Sequence, residues 1–188
     1  MSKSNFIYYG KEAYSKYFCE SMIKVMDESS HIHFDGRFGV HGILDNKEIS
    51  ISLEHSDCGL LEPLYNAINE YKDLYPVIDK CVASWRLYNH CQLMRYEPGN
   101  YYYHEHCEND GPNGSESSNR LIAWIIFLND IKEGGGTYFT YQDFTAEPRQ
   151  GDLYIWPAYW THMHKGVVAP KEYKYAITGW FNFLMNGE

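Results

Sequence analysis

The sequence predicts a mainly β protein, in which a double-stranded β-helix (jelly roll) core is flanked by N-terminal α-helices. Short stretches typical of strands recur at regular spacing between residues 87 and 183, and turn residues separate them. Residues 120–128 are almost continuously apolar, as in a central strand that is covered on both faces. Apolar residues at helical spacing occur in the first 86 residues. A length of 188 residues fits a single domain, with residues 1–86 supporting a core at residues 87–183.

The composition argues against several classes of protein. The net charge of −9 and the pI near 5.4 disfavour a nucleic-acid surface, because neutralising phosphates requires clustered Lys and Arg, and none cluster here. The 5 cysteines are odd in number and widely spaced, which indicates reduced thiols rather than a disulfide framework or a zinc knuckle. No secretory segment and no membrane-spanning run is visible. The sequence therefore predicts a soluble cytoplasmic protein that binds neither nucleic acid nor a membrane.

Two segments near the N-terminus have the period of an α-helix. Residues 11–26 present one apolar face, made of Ala13, Tyr17, Phe18, Met22, Val25 and Met26. A second helix is predicted to begin at a Ser56–Asp57 cap, with Pro63 in its first turns. Its apolar face consists of Leu61, Leu64, Ile68, Tyr71 and Tyr75. Pro76 is expected to kink or restart this helix, and the residues that continue a face are Ile78, Val82 and Trp85.

The other segments are predicted to be extended. Residues 31–53 indicate two or three short strands, whose histidines (His31, His33 and His41) are interpreted as polar surface. Residues 87–96 alternate in polarity and direct Tyr96 inward. Residues 101–108 form another extended piece, and a loop rich in Gly, Ser and Asn follows at Asn109–Asn119. Further strands are predicted at residues 137–141, 144–147, 152–156 and 173–183.

The residues suited to chemistry lie at the end of that extended piece. His106 and Glu108 are two residues apart, so in an extended segment both side chains point the same way and can bind one ion. A third ligand has to come from elsewhere in the fold, and a later segment offers His162 and His164. Two histidines and one carboxylate with open positions form the facial triad that suits non-haem Fe(II). An inward Lys174 on the following strand could hold a dicarboxylic co-substrate.

A series of short motifs runs through residues 88–183 in a fixed order. The motifs are Tyr96–Gly99, His106–Glu108, Arg120, Leu128–Asp130, Gly135–Phe139, Gly151–Pro157, His164–Gly166, Lys174 and Trp180. Each motif is weak alone, but their order and spacing together are specific. The series resembles the Fe(II)/2-oxoglutarate dioxygenase superfamily, in its prolyl 4-hydroxylase-like branch. In that branch a basic residue follows the distal histidine by ten positions.

This resemblance implies a ligand set and a reaction. His106, Glu108 and His164 would bind Fe(II) and form the catalytic centre. Lys174 would pair with the distal carboxylate of 2-oxoglutarate, and Tyr96 would hydrogen-bond to the same co-substrate. The implied enzyme consumes 2-oxoglutarate and O2, hydroxylates a C–H bond of a peptidyl proline or a related amino-acid substrate, and releases succinate and CO2. Ascorbate is implied as a reductant, and residues 87–183 would be the catalytic core.

Two positions depart from the family pattern. The usual carboxylate ligand is aspartate, whereas this chain has the longer Glu108, which can still ligate. Phe127 stands where relatives carry a tyrosine that binds the co-substrate, and a phenyl ring cannot donate a hydrogen bond. Thr178 or Tyr103 is expected to supply the missing donor.

Other ligand assignments remain open from the residues alone. His104 and Asp110 are rivals on the first segment, and His162 is a rival of His164. The His-x-Gly context and the spacing to the later lysine favour His164.

The remaining candidates have structural interpretations. Trp124, Trp156 and Trp180 are expected in the core, and Arg120 is expected to start a strand or to lie on the substrate side. The Asn109–Asn119 loop, together with the strands of residues 31–53, is a candidate lid. Two other functions compete with a dioxygenase: a cupin-like enzyme that uses zinc, and a jelly-roll binding module without catalysis.

Overall fold

The computed structural model describes residues 4–29, 33–34, 46–53, 59–80, 82–112 and 115–184. The helices are α1 (Lys16–Glu28), α2 (Leu61–Leu74) and α3 (Val77–Lys80). The strands are β1 (Tyr8–Gly10), β2 (His33–Phe34), β3 (Asn46–Ser52), β4 (Trp85–Tyr96), β5 (Arg120–Phe127), β6 (Thr137–Phe139), β7 (Phe144–Ala146), β8 (Leu153–Pro157), β9 (His164–Gly166) and β10 (Lys174–Phe183). Short 3-10 helices lie at Ser117–Asn119 and Trp160–His162.

Two antiparallel sheets face each other within these described ranges. The larger sheet has the strand order β1-β8-β5-β10-β4-β3-β2, and the smaller one has the order β7-β6-β9. Side chains of both sheets, including Ile125 of β5 and Phe139 of β6, pack in one apolar layer between them. The predicted jelly roll with supporting helices is therefore confirmed.

Strand β5 accounts for the nearly continuous apolar run. It lies between β8 and β10, and both faces of the larger sheet are covered at this point. From Ile122 to Phe127, even-numbered side chains pack with α1 and α2, and odd-numbered side chains pack toward the smaller sheet. Because a fully buried large apolar side chain stabilises a fold by roughly 1.5–3 kcal/mol, β5 contributes strongly to the core.

Helix α1 begins five residues later than the start of the predicted segment. The Ser15 hydroxyl accepts a hydrogen bond from the Phe18 amide (3.2 Å) and caps the helix. Its buried stripe consists of Phe18, Cys19, Met22 and Met26. Tyr17 and Val25 are exposed, so their predicted place on the apolar face is wrong. The residues just before α1 pair with β8 instead, as β1.

Helix α2 begins at Leu61 and buries the face that its spacing predicts. The predicted Ser56–Asp57 cap lies outside the described residues. Beyond Pro76 the helix restarts as predicted and buries Ile78. The predicted continuation is wrong for Val82, which is exposed, and for Trp85, which begins a strand that pairs with β10.

Most predicted strands correspond to observed ones with ends shifted by a residue or two. β2 and β3 correspond to two of the short strands predicted in residues 31–53, whereas His31, His41 and the side chain of His33 lie outside the described residues. The predicted extended piece at residues 101–108 forms no regular strand, and it contacts β9 through an isolated bridge between His106 and His164 and a hydrogen bond from the Gly166 amide to the Tyr102 carbonyl. Within the described ranges, no helix combines the length and the apolar character needed to cross a membrane.

Gly179 shows how tightly β10 and β5 pack, and it gives a first prediction. A Cβ atom added at Gly179 would overlap the indole ring of Trp124, which is completely buried. We expect Gly179→Ala to lower the free energy of unfolding by about 1–3 kcal/mol, because overpacking a filled core forces its neighbours to shift. Urea denaturation measures this loss, and Ser50→Ala on the exposed side of β3 is the control. If Gly179→Ala has the same urea midpoint as the wild type, the Trp124 ring can move aside.

Candidate metal centre

A cavity of about 420 Å3 opens between the two sheets. β4 and β10 of the larger sheet and β6 and β9 of the smaller sheet contribute to its walls. The segment that precedes β5 adds His106 and Glu108 to the wall, and Arg120 at the start of β5 adds its side chain. The cavity thus receives side chains from parts of the chain that are far apart in sequence.

The backbone brings the two ligand segments together. His106 and His164 exchange hydrogen bonds between their main chains, at 2.9 Å from the His106 amide and 2.8 Å from the His164 amide. The Gly166 amide donates to the Tyr102 carbonyl (2.7 Å), so the segment before His106 follows β9. This short pairing fixes both histidines at the same level of the cavity.

His106, Glu108 and His164 form a compact group of potential metal ligands. Their ligand atoms all lie within 4.8 Å of one another. Glu108 Oε1 lies 3.6 Å from His106 Nε2 and 3.3 Å from His164 Nε2. No other cluster of three such ligands occurs in the part of the chain that the structure describes.

The second nitrogen of each histidine fixes its orientation. His106 Nδ1 lies 2.9 Å from the His104 carbonyl, and His164 Nδ1 lies 2.9 Å from the His162 carbonyl. A carbonyl can only accept, so each Nδ1 carries the hydrogen and donates it. Each Nε2 therefore remains free to face Glu108, and it is the atom through which the imidazole would bind a metal.

The other carboxylate oxygen of Glu108 is held by two donors. Trp180 Nε1 donates to Oε2 at 2.9 Å, and the Arg120 guanidinium donates to Oε2 at 3.2 Å. Arg120 also contacts the main-chain carbonyl of Glu108 (3.3 Å) and stacks 3.6 Å above the Trp180 ring. Trp180 is buried as predicted, but its indole N–H also supports a ligand.

The ligand group carries a strong electrostatic bias toward a cation. Burial raises the pKa of the Glu108 carboxyl, but hydrogen bonds from His106 and His164 outweigh burial and hold this pKa well below its usual range. Burial lowers the pKa of His106, yet its contact with Glu108 produces a net rise. A buried carboxylate that stays ionised beside two imidazoles is suited to a divalent cation.

The rival ligands lie elsewhere. The His104 ring stacks on Tyr103 with centroids 4.1 Å apart, and neither residue lines the cavity. Asp110 lines the cavity but does not join the ligand group. His162 is buried with its ring nitrogens 2.9 Å from the Asn5 carbonyl and 3.0 Å from the Thr161 hydroxyl.

Lys174 provides an isolated positive charge in the same cavity. Its side chain is buried, with Nζ 5.5 Å from the Tyr96 ring centroid and 5.3 Å from that of Phe127. No described carboxylate forms an ion pair with it. Burial therefore lowers the pKa of Lys174 from 10.5 to about 8. A buried ammonium with no counter-ion among the described residues is suited to an anionic ligand.

Tyr96 and Thr178 flank Lys174 on the cavity wall. Tyr96 lies directly opposite Lys174 in the β4–β10 pairing, and its hydroxyl contacts the Met94 sulfur at 3.5 Å. Thr178 lies four residues along β10 and lines the cavity, but its hydroxyl donates to the Trp124 carbonyl at 2.9 Å. Thr178 can therefore accept from a ligand more readily than it can donate.

Thr137 is a candidate that the sequence reasoning missed. It lines the cavity, is almost completely buried, and pairs with Gly166 across β6 and β9. The glycine-rich motif at Gly135–Phe139 contains this threonine and could have indicated it, but the motif predicts the fold without assigning the threonine a role. Tyr102 was also missed as a cavity residue, and its ring centroid lies 4.5 Å from that of His106.

The fold and the cavity together define a class of protein. A jelly roll with two imidazoles and a carboxylate converging in a cleft has the donor set of mononuclear non-haem iron enzymes. The isolated lysine in the same cleft adds a site for an anionic co-substrate.

Comparison with known families agrees with this class. The 2OG-Fe(II) oxygenase superfamily matches residues 91–182, which contain the three potential ligands and Lys174. Over these residues the chain is of the 2OG-Fe(II) oxygenase type, an oxidoreductase of the dioxygenase class. No curated protein is significantly similar to the chain in sequence.

Several solved structures share the fold over nearly the whole chain. The viral collagen prolyl hydroxylase of Paramecium Bursaria Chlorella virus-1, solved with 2-oxoglutarate, has a TM-score of 0.72 at 16% identity, covering 96% of this chain and 97% of that one. A prolyl-4-hydroxylase of Pseudomonas putida has a TM-score of 0.68 at 12% identity, with coverages of 96% and 94%. A Trichoplax adhaerens prolyl hydroxylase, in complex with a hypoxia inducible factor peptide fragment, has a TM-score of 0.66 at 15% identity, with coverages of 95% and 84%.

Proposed function

We propose that this single-domain protein hydroxylates a C–H bond of a peptidyl proline or a related amino-acid substrate, using Fe(II), O2 and 2-oxoglutarate. One observation carries the proposal: the His106–Glu108–His164 group and the isolated Lys174 line one cavity. Lys174 and Trp180, which contacts Glu108, are six residues apart on β10, or about 20 Å of strand. Both residues line the cavity, so a small dicarboxylate can lie between the lysine and the metal.

The side chains have distinct tasks under this proposal. His106, Glu108 and His164 hold the iron and leave its other positions open. Iron and 2-oxoglutarate then supply the oxygen activation that side chains cannot provide, with succinate and CO2 as products. Ascorbate would serve as the external reductant.

The co-substrate lies between the metal and β10 in this proposal. Lys174 pairs with its distal carboxylate, and Tyr96, whose ring centroid lies 5.5 Å from Lys174 Nζ, offers its hydroxyl to the same carboxylate. Thr137 and Thr178 add hydroxyl groups on two sides of the same space. Of the two, Thr137 is the one that can replace the donor that a tyrosine at position 127 would have supplied, because the Thr178 hydroxyl already donates to the Trp124 carbonyl.

The mouth of the cavity suits a peptide with an apolar ring. Tyr101 and Tyr102 line it, and aromatic faces pack well against proline-rich segments. The Ser115–Ser117 segment, part of the candidate lid, also lines the cavity. Exposed Asp110 and Glu116 carboxylates lie near the entrance and disfavour an acidic peptide. The solved relatives that are prolyl hydroxylases support the same substrate class.

Two measurements test the proposal. Anaerobic Fe(II) and 2-oxoglutarate should together produce a weak visible charge-transfer band in the wild-type protein. Succinate release, screened against neutral, basic and acidic proline-rich peptides and free amino acids, should then identify the substrate. Zinc retained through purification without 2-oxoglutarate binding would favour a cupin-like enzyme. Absence of any metal binding would favour a non-catalytic jelly-roll module.

A further inference from the structure

The two oxygens of Glu108 lie in different environments. Oε1 faces both histidine Nε2 atoms, at 3.6 and 3.3 Å. Oε2 faces away from them, toward the Trp180 indole N–H and the Arg120 guanidinium. The carboxylate therefore has one oxygen directed at the metal position and one oxygen engaged by the protein.

This division matters because the ligand is a glutamate. Glutamate has one more rotatable bond than aspartate, so its carboxylate can turn and bring both oxygens to a metal. A carboxylate that chelates through two oxygens occupies an additional coordination position. A dioxygenase centre needs its remaining positions for the two atoms of a chelating co-substrate and for O2, so a two-oxygen ligand would compete with them.

The two donors are themselves held rigidly. The Arg120 guanidinium stacks on the Trp180 ring at 3.6 Å, so each fixes the orientation of the other. Arg120 also contacts the main-chain carbonyl of Glu108, which ties the guanidinium to the backbone of its target. Both side chains are almost fully buried, where charge-assisted hydrogen bonds are strong.

We propose that Arg120 and Trp180 are positioning residues that hold Oε2 of Glu108 away from the metal and make this glutamate a one-oxygen ligand. The inference rests on the proposed metal site at His106, Glu108 and His164. It explains how the longer carboxylate can serve where relatives use aspartate, and it assigns a role to a tryptophan and an arginine that otherwise look structural.

The test uses Co(II) as a spectroscopic probe in place of Fe(II). Trp180→Phe keeps a ring beneath Arg120 but removes the N–H. Without this donor the carboxylate is expected to chelate, so the visible Co(II) absorption should weaken as the coordination number rises. Co(II) should still bind, because all three ligands remain. The affinity of the Co(II) protein for 2-oxoglutarate should fall about tenfold, since a hydrogen bond to a charged group has been lost.

Two further variants make the result specific. Trp124→Phe removes an indole N–H that has no acceptor among the described residues. The Trp124 ring packs on the face of β5 that is turned away from the cavity. This control variant should therefore change neither the Co(II) spectrum nor the affinity for 2-oxoglutarate. In a Glu108→Asp background, Trp180→Phe should have a much smaller effect, because the shorter carboxylate no longer reaches this donor. A double-mutant cycle measures that coupling.

The outcomes separate this inference from the proposed function. If Trp180→Phe is folded but its Co(II) spectrum equals that of the wild type, the positioning role is wrong. If the wild-type protein binds no Co(II), the proposed metal site is wrong, and so is the inference that rests on it. If the wild type binds Co(II) but not 2-oxoglutarate, the proposed function fails, and the Co(II) spectra alone still decide the role of Trp180.

Discussion

Replacing Lys174 by methionine is expected to stabilise the free protein and to abolish most of its affinity for 2-oxoglutarate. The ammonium is buried with no described carboxylate beside it, and this burial lowers its pKa from 10.5 to about 8. A shift of that size corresponds to about 3 kcal/mol of destabilisation at neutral pH. Methionine has a similar length and no charge, so the variant should regain an amount of that order in urea denaturation.

The pH dependence of stability gives an independent check on the same residue. The folded pKa of Lys174 is below the unfolded one, so the destabilisation is fully present below about pH 8. It fades as the pH rises toward 10.5, because the unfolded chain then loses the same proton. The stability difference between Lys174→Met and the wild type should therefore shrink between pH 8 and 10.5.

The affinity for 2-oxoglutarate should fall in Lys174→Met, whereas the stability of the free protein should rise. Loss of one partner of a buried ion pair costs about 3–5 kcal/mol, so Lys174→Met should weaken binding by about 100-fold or more. In the wild type, affinity should be constant below about pH 7 and should fall by up to about tenfold per pH unit above pH 8, as the ammonium deprotonates. The variant should lose this pH dependence. Calorimetric titration of the anaerobic Fe(II) protein measures both effects.

Lys171→Met is the matched control for these experiments. Lys171 is exposed and pairs with Glu133 at the surface, so its loss should change stability by less than about 1 kcal/mol and leave binding intact. Equal binding by Lys174→Met and Lys171→Met would exclude Lys174 as the co-substrate anchor.

The ligand region could be predicted from sequence because its signals are local. His106 and Glu108 share a face through the two-residue period of an extended chain, and this period survives although the segment joins no regular ladder. The choice of His164 over His162 needed the family spacing. In the structure these two histidines differ sharply, since the His162 ring is bonded to Asn5 and Thr161, outside the ligand group.

The contacts that support the ligands could not be predicted in the same way. Trp180 and Arg120 reach Glu108 only because β10 and β5 are neighbours, and no local pattern carries that information. Trp85 was assigned to a helical face for a related reason. Its spacing from Ile78 and Val82 is helical, but pairing with β10 overrides local propensity. Strand β1 could not be predicted either, because it is only three residues long and depends on β8 for its hydrogen bonds.

Glu108→Ala is expected to abolish metal binding and turnover. Loss of an outer partner of a metal ligand already costs about 10–100-fold, so loss of the only carboxylate ligand should cost more than that. The variant should also be less stable, because the Arg120 guanidinium and the Trp180 N–H lose their acceptor in a buried site. Fe(II) titration followed by succinate assay measures the first effect, and urea denaturation measures the second.

Glu108→Gln removes the negative charge of this side chain but keeps its size. The amide retains an oxygen that can accept from Trp180, so stability at neutral pH should recover in part, whereas metal affinity should remain low. The pKa of Glu108 is depressed in the folded protein, so its contribution to stability is present above its ordinary pKa and is lost as the pH falls toward the lower folded pKa. Glu108→Gln should therefore show a flatter loss of stability in acid than the wild type.

His104→Ala decides between the two possible ligand pairs on this segment. The His104 side chain packs on Tyr103, and only its main-chain carbonyl contacts His106, so alanine preserves the contact that orients the ligand. Fe(II) affinity should therefore stay within about threefold of the wild type. If His104→Ala loses Fe(II) as completely as Glu108→Ala does, the ligand set is a different combination of these neighbours.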